Sequence, residues 1–464
     1  AHLTDGTFFW SRVRRYAVPL GMIATATARR EAGDWAGACA AARVDVDLDL
    51  GAAKQAYGAG LVGRVRSDLR YLAPDLLRWH MPRAAPDGLL RPALTLALAR
   101  YDVDGGRSLH LVVRTPPAWA DAGQRISLAL WDGDLAGDVH ARRHPHPHPS
   151  RRFRLDLHRH LWDARRAGEL AGRAAGDDQH ATRRWPVEAA LLLEADGLPP
   201  GPVEVRTGAG GRVVVDTREL GAEGAVRSTV SSVSSVPLCG GGRELASHGA
   251  EFGFVGELPS YRTAFRPRLP LLPDASTWPL PDLVLLRQGD ITAEGLHPLV
   301  AEALVPGAVR GRESAPPDEH RYVDCRGARH RIGLVDGVLS ALDHDPRQLH
   351  REELLMALSG TPVPCLRVID EAHRRPEDLA GVRERLMHGD VAGALAVVEE
   401  LLGPEAVLRD GPLRDALEDA AERKVAYGVY RAGLSGGAPE RTLDAWTGRR
   451  RRARRYSRRP EPKK

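Results

Sequence analysis

Two stretches near opposite ends of the chain decide the fold: MIATATARREAGDWAGACAAARV (residues 22–44) and LAGVRERLMHGDVAGALAVVEELL (residues 379–402). Each contains the phrase Gly-Asp-x-Ala-Gly-Ala, which starts at Gly33 in the first and at Gly389 in the second. In both, a run rich in helix-forming residues stops at a glycine, which tolerates the left-handed backbone that ends helices. The aspartate that follows can accept a backbone N–H and begin a second helix. Each stretch therefore predicts a pair of packed helices.

The two phrases resemble the inter-helix turn of tetratricopeptide repeats, whose second helix often opens with Gly-Asp-aromatic and a following Ala. The resemblance covers one helix pair at each end of the chain and lacks the tandem period of about 34 residues, so isolated helix pairs are the alternative. A hairpin of this type implies a surface that holds a partner protein. A shorter form of the phrase at Gly133–Gly137 follows an expected strand, where it predicts a turn within β structure.

The order of patterns along the chain predicts an α+β protein, with helical units at the N- and C-terminal ends around a central antiparallel β-rich region. The expected parts are a helical domain (1–84), a β-rich domain with an inserted helix near 157–175 (85–218), a Gly/Ser/Pro-rich irregular segment with short strands (219–330), a mainly helical domain (331–448) and a disordered basic tail (449–464).

Hydrophobic periodicity supports these assignments. Apolar residues recur at helical spacing over 64–80, where Pro74 predicts the start of a new helix. Apolar residues alternate over 94–98, 109–113 and 126–130, which predicts an antiparallel meander. Further hairpins are predicted over 203–216 and 322–335, a strand over 282–287, and helices over 293–304, 352–358, 376–387, 391–402 and 413–432.

Composition and missing motifs exclude several function classes. Only four of the 66 basic residues are lysines (Lys54, Lys424, Lys463 and Lys464), and none lies in the Gly-Lys-Ser/Thr of a phosphate-binding loop. This skew towards Arg is typical of a GC-rich genome, which weakens any inference from Arg content. Gly433–Gly437 matches Gly-x-Ser-x-Gly, but an expected helix precedes it where a nucleophile elbow needs a strand. We therefore assign no catalytic residue, no metal ligand and no cofactor.

The cysteines indicate the compartment. Cys39, Cys239, Cys325 and Cys365 lie far apart and form no Cys-x-x-Cys pair, which predicts reduced, structural thiols of a cytoplasmic protein. No apolar run approaches the roughly 18 residues that a membrane helix requires, so we expect no membrane partner.

A histidine-rich segment spans residues 140–160, with six of the 18 histidines and six arginines. His144, His146 and His148 alternate with proline, which favours an extended backbone of polyproline type. Three imidazoles can bind Zn²⁺ or Ni²⁺, but the flanking arginines oppose cation binding. We therefore expect an exposed surface loop between a strand and a helix.

The C-terminal tail is strongly basic. The chain has a net charge of +5, and residues 449–464 contain eight Arg, two Lys and one Glu, so the rest of the chain is mildly acidic. Dense charge without an apolar pattern predicts disorder, and such arms bind phosphate backbones without reading sequence. The candidate nucleic-acid-binding residues are Arg449, Arg450, Arg451, Arg452, Arg454, Arg455, Tyr456, Arg458 and Arg459. A solvated tail that contacts an acidic protein surface is the alternative.

The expected function is that of a non-catalytic scaffold or adaptor, which binds a partner protein through its helical hairpins and uses the tail as an electrostatic anchor. One alternative is a nucleic-acid-associated protein that contacts phosphates through the tail. The other is an enzyme of a class without a local sequence signature, for which His330, Asp343 and His373 are the first residues to check.

Overall fold

The structure is a computed structural model. It describes residues 2–103, 107–121, 123–134, 139–174, 178–207, 211–219, 231–232, 269–277, 279–307, 321–325, 328–335, 338–341, 347, 350–351, 380–402 and 412–434. Two compact units form: the first is drawn from 1–150, 158–173 and 281–464, and the second from 151–157 and 174–280. The chain is mixed α+β, with helices near both ends and a central antiparallel sheet region.

The helices of the first unit are α1 (His2–Tyr16), α2 (Leu20–Glu31), α3 (Trp35–Ala41), α4 (Leu50–Tyr71), α5 (Pro74–His80), α6 (Val139–Arg143), α7 (Leu170–Arg173), α9 (Pro281–Gln288), α10 (Pro298–Leu304), α11 (Ala380–Met387), α12 (Val391–Leu402) and α13 (Pro412–Ala432). Its strands are β1 (Val44–Asp47), β2 (Arg83–Ala84), β3 (Leu89–Leu90), β4 (Thr95–Val103), β5 (Arg107–Arg114), β6 (Ile126–Trp131), β10 (Arg321–Cys325), β11 (Ala328–Val335) and β12 (Val338–Ala341). The second unit contributes α8 (Asp178–Ala195), β7 (Pro202–Arg206), β8 (Arg212–Asp216) and β9 (Ser231–Ser232).

The main sheet of the first unit has the strand order β1-β6-β5-β4. Strands β4, β5 and β6 form the antiparallel meander that alternation predicts. Strand β1 adds to it in parallel, with Val44 opposite Ile126, inside a region for which the sequence predicts only helices. A segment of four alternating Val and Asp residues is too short for its periodicity to predict a strand. The strand is therefore apparent only from its pairing with β6.

The two Gly-Asp phrases form helical hairpins, α2 with α3 and α11 with α12, as predicted. Gly33 and Gly389 have φ of +80° and +81°, the left-handed conformation that ends a helix. Ala38 and Ala394, five residues on, are fully buried where the paired helices meet. Small residues at these positions let the two helices of each hairpin approach closely.

Each aspartate of the phrase caps the second helix of its hairpin. Asp34 accepts a hydrogen bond from the backbone N–H of Gly37 at 2.8 Å. Asp390 accepts the corresponding bond from Gly393 at 3.3 Å. A carboxylate at this position satisfies an orphan N–H and interacts favourably with the positive end of the helix dipole.

Two element predictions are wrong, and contacts distant in sequence explain the first. The expected helix over 157–175 is instead a set of short turns followed by α7, because its backbone pairs with residues that precede α5. Ala73 N–H donates to Trp162 O at 2.8 Å, and Ala164 N–H to Tyr71 O at 3.0 Å. The expected strand over 282–287 is the helix α9; a run of four apolar residues is compatible with either element.

The second unit is built around the predicted hairpin of β7 and β8. Helix α8, which the sequence analysis did not anticipate, packs on this hairpin. Their shared core consists of Trp185, Ala189, Leu192, Leu193, Val203, Val205, Val215 and Leu272.

The two glycine turns differ in their surroundings, which yields a matched pair of variants. A Cβ at Gly33 meets nothing within 4 Å, whereas one at Gly389 would lie 2.1 Å from the carbonyl oxygen of Gly123. We expect Gly33→Ala to lower the free energy of unfolding by about 1–2 kcal/mol, the cost of a left-handed alanine. Gly389→Ala should cost more, about 3 kcal/mol or above, because backbone must also move. Urea unfolding of both variants measures the difference, and equal losses would contradict the packing of Gly389 on Gly123.

Candidate functional site

A short segment, Arg43–Asp47, connects the N-terminal part of the first unit to its C-terminal helices. Arg43 donates from Nη1 to the carbonyl oxygen of His388 at 2.7 Å, directly before the second Gly-Asp turn. Its Nη2 lies 3.5 Å from a carboxylate oxygen of Asp390. One guanidinium thus contacts both residues that flank Gly389.

The aspartates of β1 bind two side chains of α13. Asp45 accepts a hydrogen bond from the Tyr427 hydroxyl. Asp47 accepts two from Arg431, at 2.6 and 2.5 Å. Alternate residues of a strand share a face and lie about 6.6 Å apart, while residues four apart on a helix are about 6 Å apart. The Asp-x-Asp spacing therefore matches the Tyr-x-x-x-Arg spacing.

These contacts perturb the ionisation of the groups involved. Burial opposes the charge of Asp45, but hydrogen bonds from Arg125 and Tyr427 outweigh it and lower its pKa below the ordinary value. Burial and the hydrogen bond to Asp45 raise the pKa of Tyr427. The hydrogen bond to Asp47 is the largest cause of the raised pKa of Arg431. Asp45 is accordingly held as a carboxylate that accepts from a guanidinium and a hydroxyl donor.

Helices α11, α12 and α13 share a small apolar core. Its buried members are Val382, Leu386, Ala394 and Val398, and side chains of α13 pack against them. This core uses one face of α12 only.

Across the part of the chain that the structure describes, the opposite face of α12 is apolar and exposed. Val391 and Leu395, one turn apart, are 41% and 40% exposed, and Ala392 and Ala396 beside them are also exposed. The first two turns of α12 carry no charged side chain. A helix that is apolar on all sides is normally buried on all sides, so this surface, which we call the α12 face, is the strongest candidate for a docking site.

The histidine-rich segment is the predicted exposed loop only in part: His146 and His148 are exposed, but other histidines of the segment are not. His144, His158 and His160 are buried. His144 Nε2 donates to Thr115 O at 2.9 Å, and its Nδ1 accepts from the backbone N–H of His146 at 3.1 Å. Burial lowers the pKa of His144 below its ordinary value, so the neutral ring is favoured. These imidazoles are packing and hydrogen-bonding groups of the first unit.

Most of the remaining candidate residues lie outside the described residues. This holds for the whole tail from Arg449 to Arg459, including Tyr456, and for Asp343 and His373. His330 lies on β11, opposite Val323 of β10. Gly433, the first glycine of the Gly-x-Ser-x-Gly match, has φ of +70° directly after α13, as expected for a glycine at a helix end.

Within the part of the chain that the structure describes, no cluster of three or more His, Cys, Asp or Glu side chains is placed to hold a metal ion. Cys39 is a buried free thiol, and burial together with the charge of Asp34 raises its pKa to about 12. None of the described helices is both long enough and apolar enough to cross a bilayer.

Comparison with known proteins gives no relative: no protein-family model, curated protein or solved structure matches this chain. The geometry described above therefore carries the functional argument alone.

The contact between β1 and α13 yields a prediction on stability and pH. Tyr427→Phe keeps the ring and removes a hydrogen bond to a charged carboxylate, so we expect it to lower the free energy of unfolding by about 1–3 kcal/mol at pH 7. Tyr430→Phe, which keeps the ring contact with Trp119, is the control and should cost little. Because the pKa of Asp45 is lowered on folding, the contribution of the ionised pair is complete above about pH 5 and is lost as pH falls below about 4.

Urea unfolding at pH 7 and at pH 3.5 or below measures both effects. The difference between the wild type and Tyr427→Phe should shrink at the lower pH, while that for Tyr430→Phe stays small. A Tyr427→Phe penalty that does not change with pH would show that Asp45 is not its acceptor.

Proposed function

We propose that this protein is a non-catalytic scaffold or adaptor that binds a partner protein through the α12 face of its C-terminal hairpin. The observation that carries the proposal is the exposure of Val391 and Leu395 on a helix whose other face is already buried. Exposed apolar patches on folded proteins commonly mark interaction sites. The partner is expected to offer an apolar surface, since the first two turns of α12 provide no charge for an ion pair.

The hairpin construction supports this proposal. The Gly-Asp turn and the buried alanine behind it resemble the turn of tetratricopeptide hairpins, which present helix faces to partner proteins. In this chain the hairpin is fixed at its turn by Arg43 and through α13 by Asp45 and Asp47. A surface held in place before binding loses less entropy when a partner docks.

The basic tail, residues 449–464, is proposed to add an electrostatic anchor for the same partner or for an acidic surface nearby. The alternative role in nucleic-acid binding depends on that tail, where counterion release would supply the affinity. No geometry of the described residues favours this alternative, so the adaptor role is preferred.

The test compares three forms of the full-length chain: the wild type, Leu395→Asp and Val425→Asp. Leu395 lies on the α12 face, and Val425 on α13 is a matched control because it is also exposed, at 67%. Burying a leucine contributes about 1.5–3 kcal/mol and each 1.4 kcal/mol is about tenfold in affinity, so Leu395→Asp should weaken partner binding at least tenfold. Each tagged form is used to recover proteins from an extract of the source cells, with quantification by mass spectrometry.

A partner that the wild type and Val425→Asp retain and Leu395→Asp loses supports the adaptor role. Equal recovery by all three forms would contradict the role of α12. Sedimentation of the same forms identifies a second copy of the chain as the occupant: a wild-type dimer that only Leu395→Asp dissociates would replace the adaptor role with self-association.

A further inference from the structure

Four basic side chains of the first unit converge beneath the second Gly-Asp turn. Arg78 Nη1 donates to the carbonyl oxygen of Ala42 at 3.4 Å, and Arg83 Nη2 donates to that of Arg78 at 2.9 Å. Arg43 Nη1 donates to the carbonyl oxygen of His388 at 2.7 Å. We refer to Arg43, Arg78, Arg83 and His388 together as the basic cluster.

Arg78 is 0% exposed, and no carboxylate of the described residues pairs with it. Its Nε and Nη1 donate to the carbonyl oxygens of Ala17 and Ala42, and its Nη2 has no hydrogen-bond acceptor. Arg14 is also buried, but it is paired with a carboxylate. It donates twice to Asp282, at 2.8 Å each. A buried guanidinium remains charged, so leaving it without a counter-charge is costly.

Further polar atoms of the basic cluster have no hydrogen-bond partner among the described residues. Besides Arg78 Nη2, these are Arg83 Nε, which is a donor, and the two ring nitrogens of His388, only one of which carries a hydrogen in the neutral ring. His388 is fully buried, and burial followed by the charges of Arg83 and Arg78 lowers its pKa to about 3. Burial and the charges of Arg43 and Arg83 likewise depress the pKa of Arg78. The local field is positive, and it favours an anion.

Two nearby acidic side chains are engaged elsewhere, and a third is engaged through one oxygen. Asp121 accepts from Gln124 Nε2 at 2.5 Å. Asp390 accepts from Arg385 at 2.7 Å and caps α12. Glu384 Oε1 accepts from Arg12 at 3.2 Å, whereas its buried Oε2 has no hydrogen-bond partner among the described residues and lies 3.8 Å from His388 Nε2. None of the three supplies the unused donors of Arg78 and Arg83 with an acceptor.

We propose that the basic cluster binds a small tetrahedral oxyanion, either inorganic phosphate or the phosphate group of a small phosphorylated molecule. The unused donors belong to α5, β2 and the turn that follows α11, three separate segments of the chain. A tetrahedral anion presents oxygens in several directions and can accept from all three, whereas a planar carboxylate suits a single guanidinium fork. The Arg12 side chain is 43% exposed and Arg83 is partly exposed, so the cluster borders solvent on that side.

An anion bound there links the two ends of the chain. Arg78 and Arg83 belong to the N-terminal part of the first unit, whereas His388 lies in the turn of the C-terminal hairpin, directly after α11. The bound anion therefore stabilises the arrangement that presents α12, whatever partner α12 binds. Ligand binding to the folded state alone raises stability by mass action.

The test is thermal unfolding and calorimetric titration of the full-length chain with inorganic phosphate, against sodium chloride at matched ionic strength. We expect phosphate at 10 mM to raise the wild-type Tm by roughly 1.5 °C or more above chloride, which corresponds to a Kd below about 1 mM. Arg83→Gln and His388→Gln should each weaken phosphate binding about tenfold or more. Arg212→Gln, at an exposed site of the second unit, is the control and should bind as the wild type does.

Arg78→Met provides a second readout, because this substitution is not expected to lower the unfolding temperature. In phosphate-free buffer it should unfold at the same or a higher temperature than the wild type, because it removes an uncompensated buried charge. Arg14→Met, which leaves the buried Asp282 carboxylate without its guanidinium partner, should unfold at a lower temperature. A wild type that gains no more from phosphate than from chloride, or a Kd unchanged in Arg83→Gln and His388→Gln, would overturn the proposal.

Two further probes define the ligand. A Kd for glycerol phosphate within about tenfold of the Kd for inorganic phosphate indicates a site for a phosphorylated molecule. Binding of inorganic phosphate without binding of glycerol phosphate indicates a site for the free ion. Acetate that binds as tightly as phosphate would overturn the tetrahedral assignment.

Discussion

Residues 43–47 place three alternating side chains against the C-terminal helices, and the architecture of the first unit depends on this contact. Arg43 holds the turn between α11 and α12, while Asp45 and Asp47 hold Tyr427 and Arg431 of α13. The side chains can act together because two residues of strand and four residues of helix cover nearly the same distance. The α12 face and the basic cluster both exist only while this contact fixes the C-terminal hairpin in place.

The elements that were predictable from sequence are those set by local chemistry. The glycine at each hairpin turn, the capping aspartate and the alternation in β4, β5 and β6 act over a few residues. Two of the departures from prediction depend on distant partners, whereas the wrong strand over 282–287 reflects the ambiguity of a short apolar run. Residues 157–175 form no continuous helix because Trp162 and Ala164 pair with backbone around α5, and β1 is a strand only because β6 lies beside it.

The candidate sites were less predictable than the fold. An uncharged, apolar stretch over 391–398 is visible in the sequence, but which face of α12 stays exposed depends on how α11 and α13 pack. Arg78 is one of many arginines in a chain whose composition already favours arginine, so nothing in its sequence context marks it as buried. The basic cluster forms only when four positions up to 345 residues apart meet, a consequence of tertiary structure alone.

Hydrogen exchange of Asp47→Asn, followed by mass spectrometry, tests the central claim most directly. The substitution keeps the shape of the side chain and removes the charge that pairs with Arg431; Asp216→Asn, which loses a local pair with Arg218, is the control. We expect faster exchange in α13 and in the α11–α12 hairpin of Asp47→Asn, with β4 and β5 unchanged and with no change in those helices for the control. Unaltered protection of α13 in Asp47→Asn would contradict the claim that β1 holds the C-terminal helices.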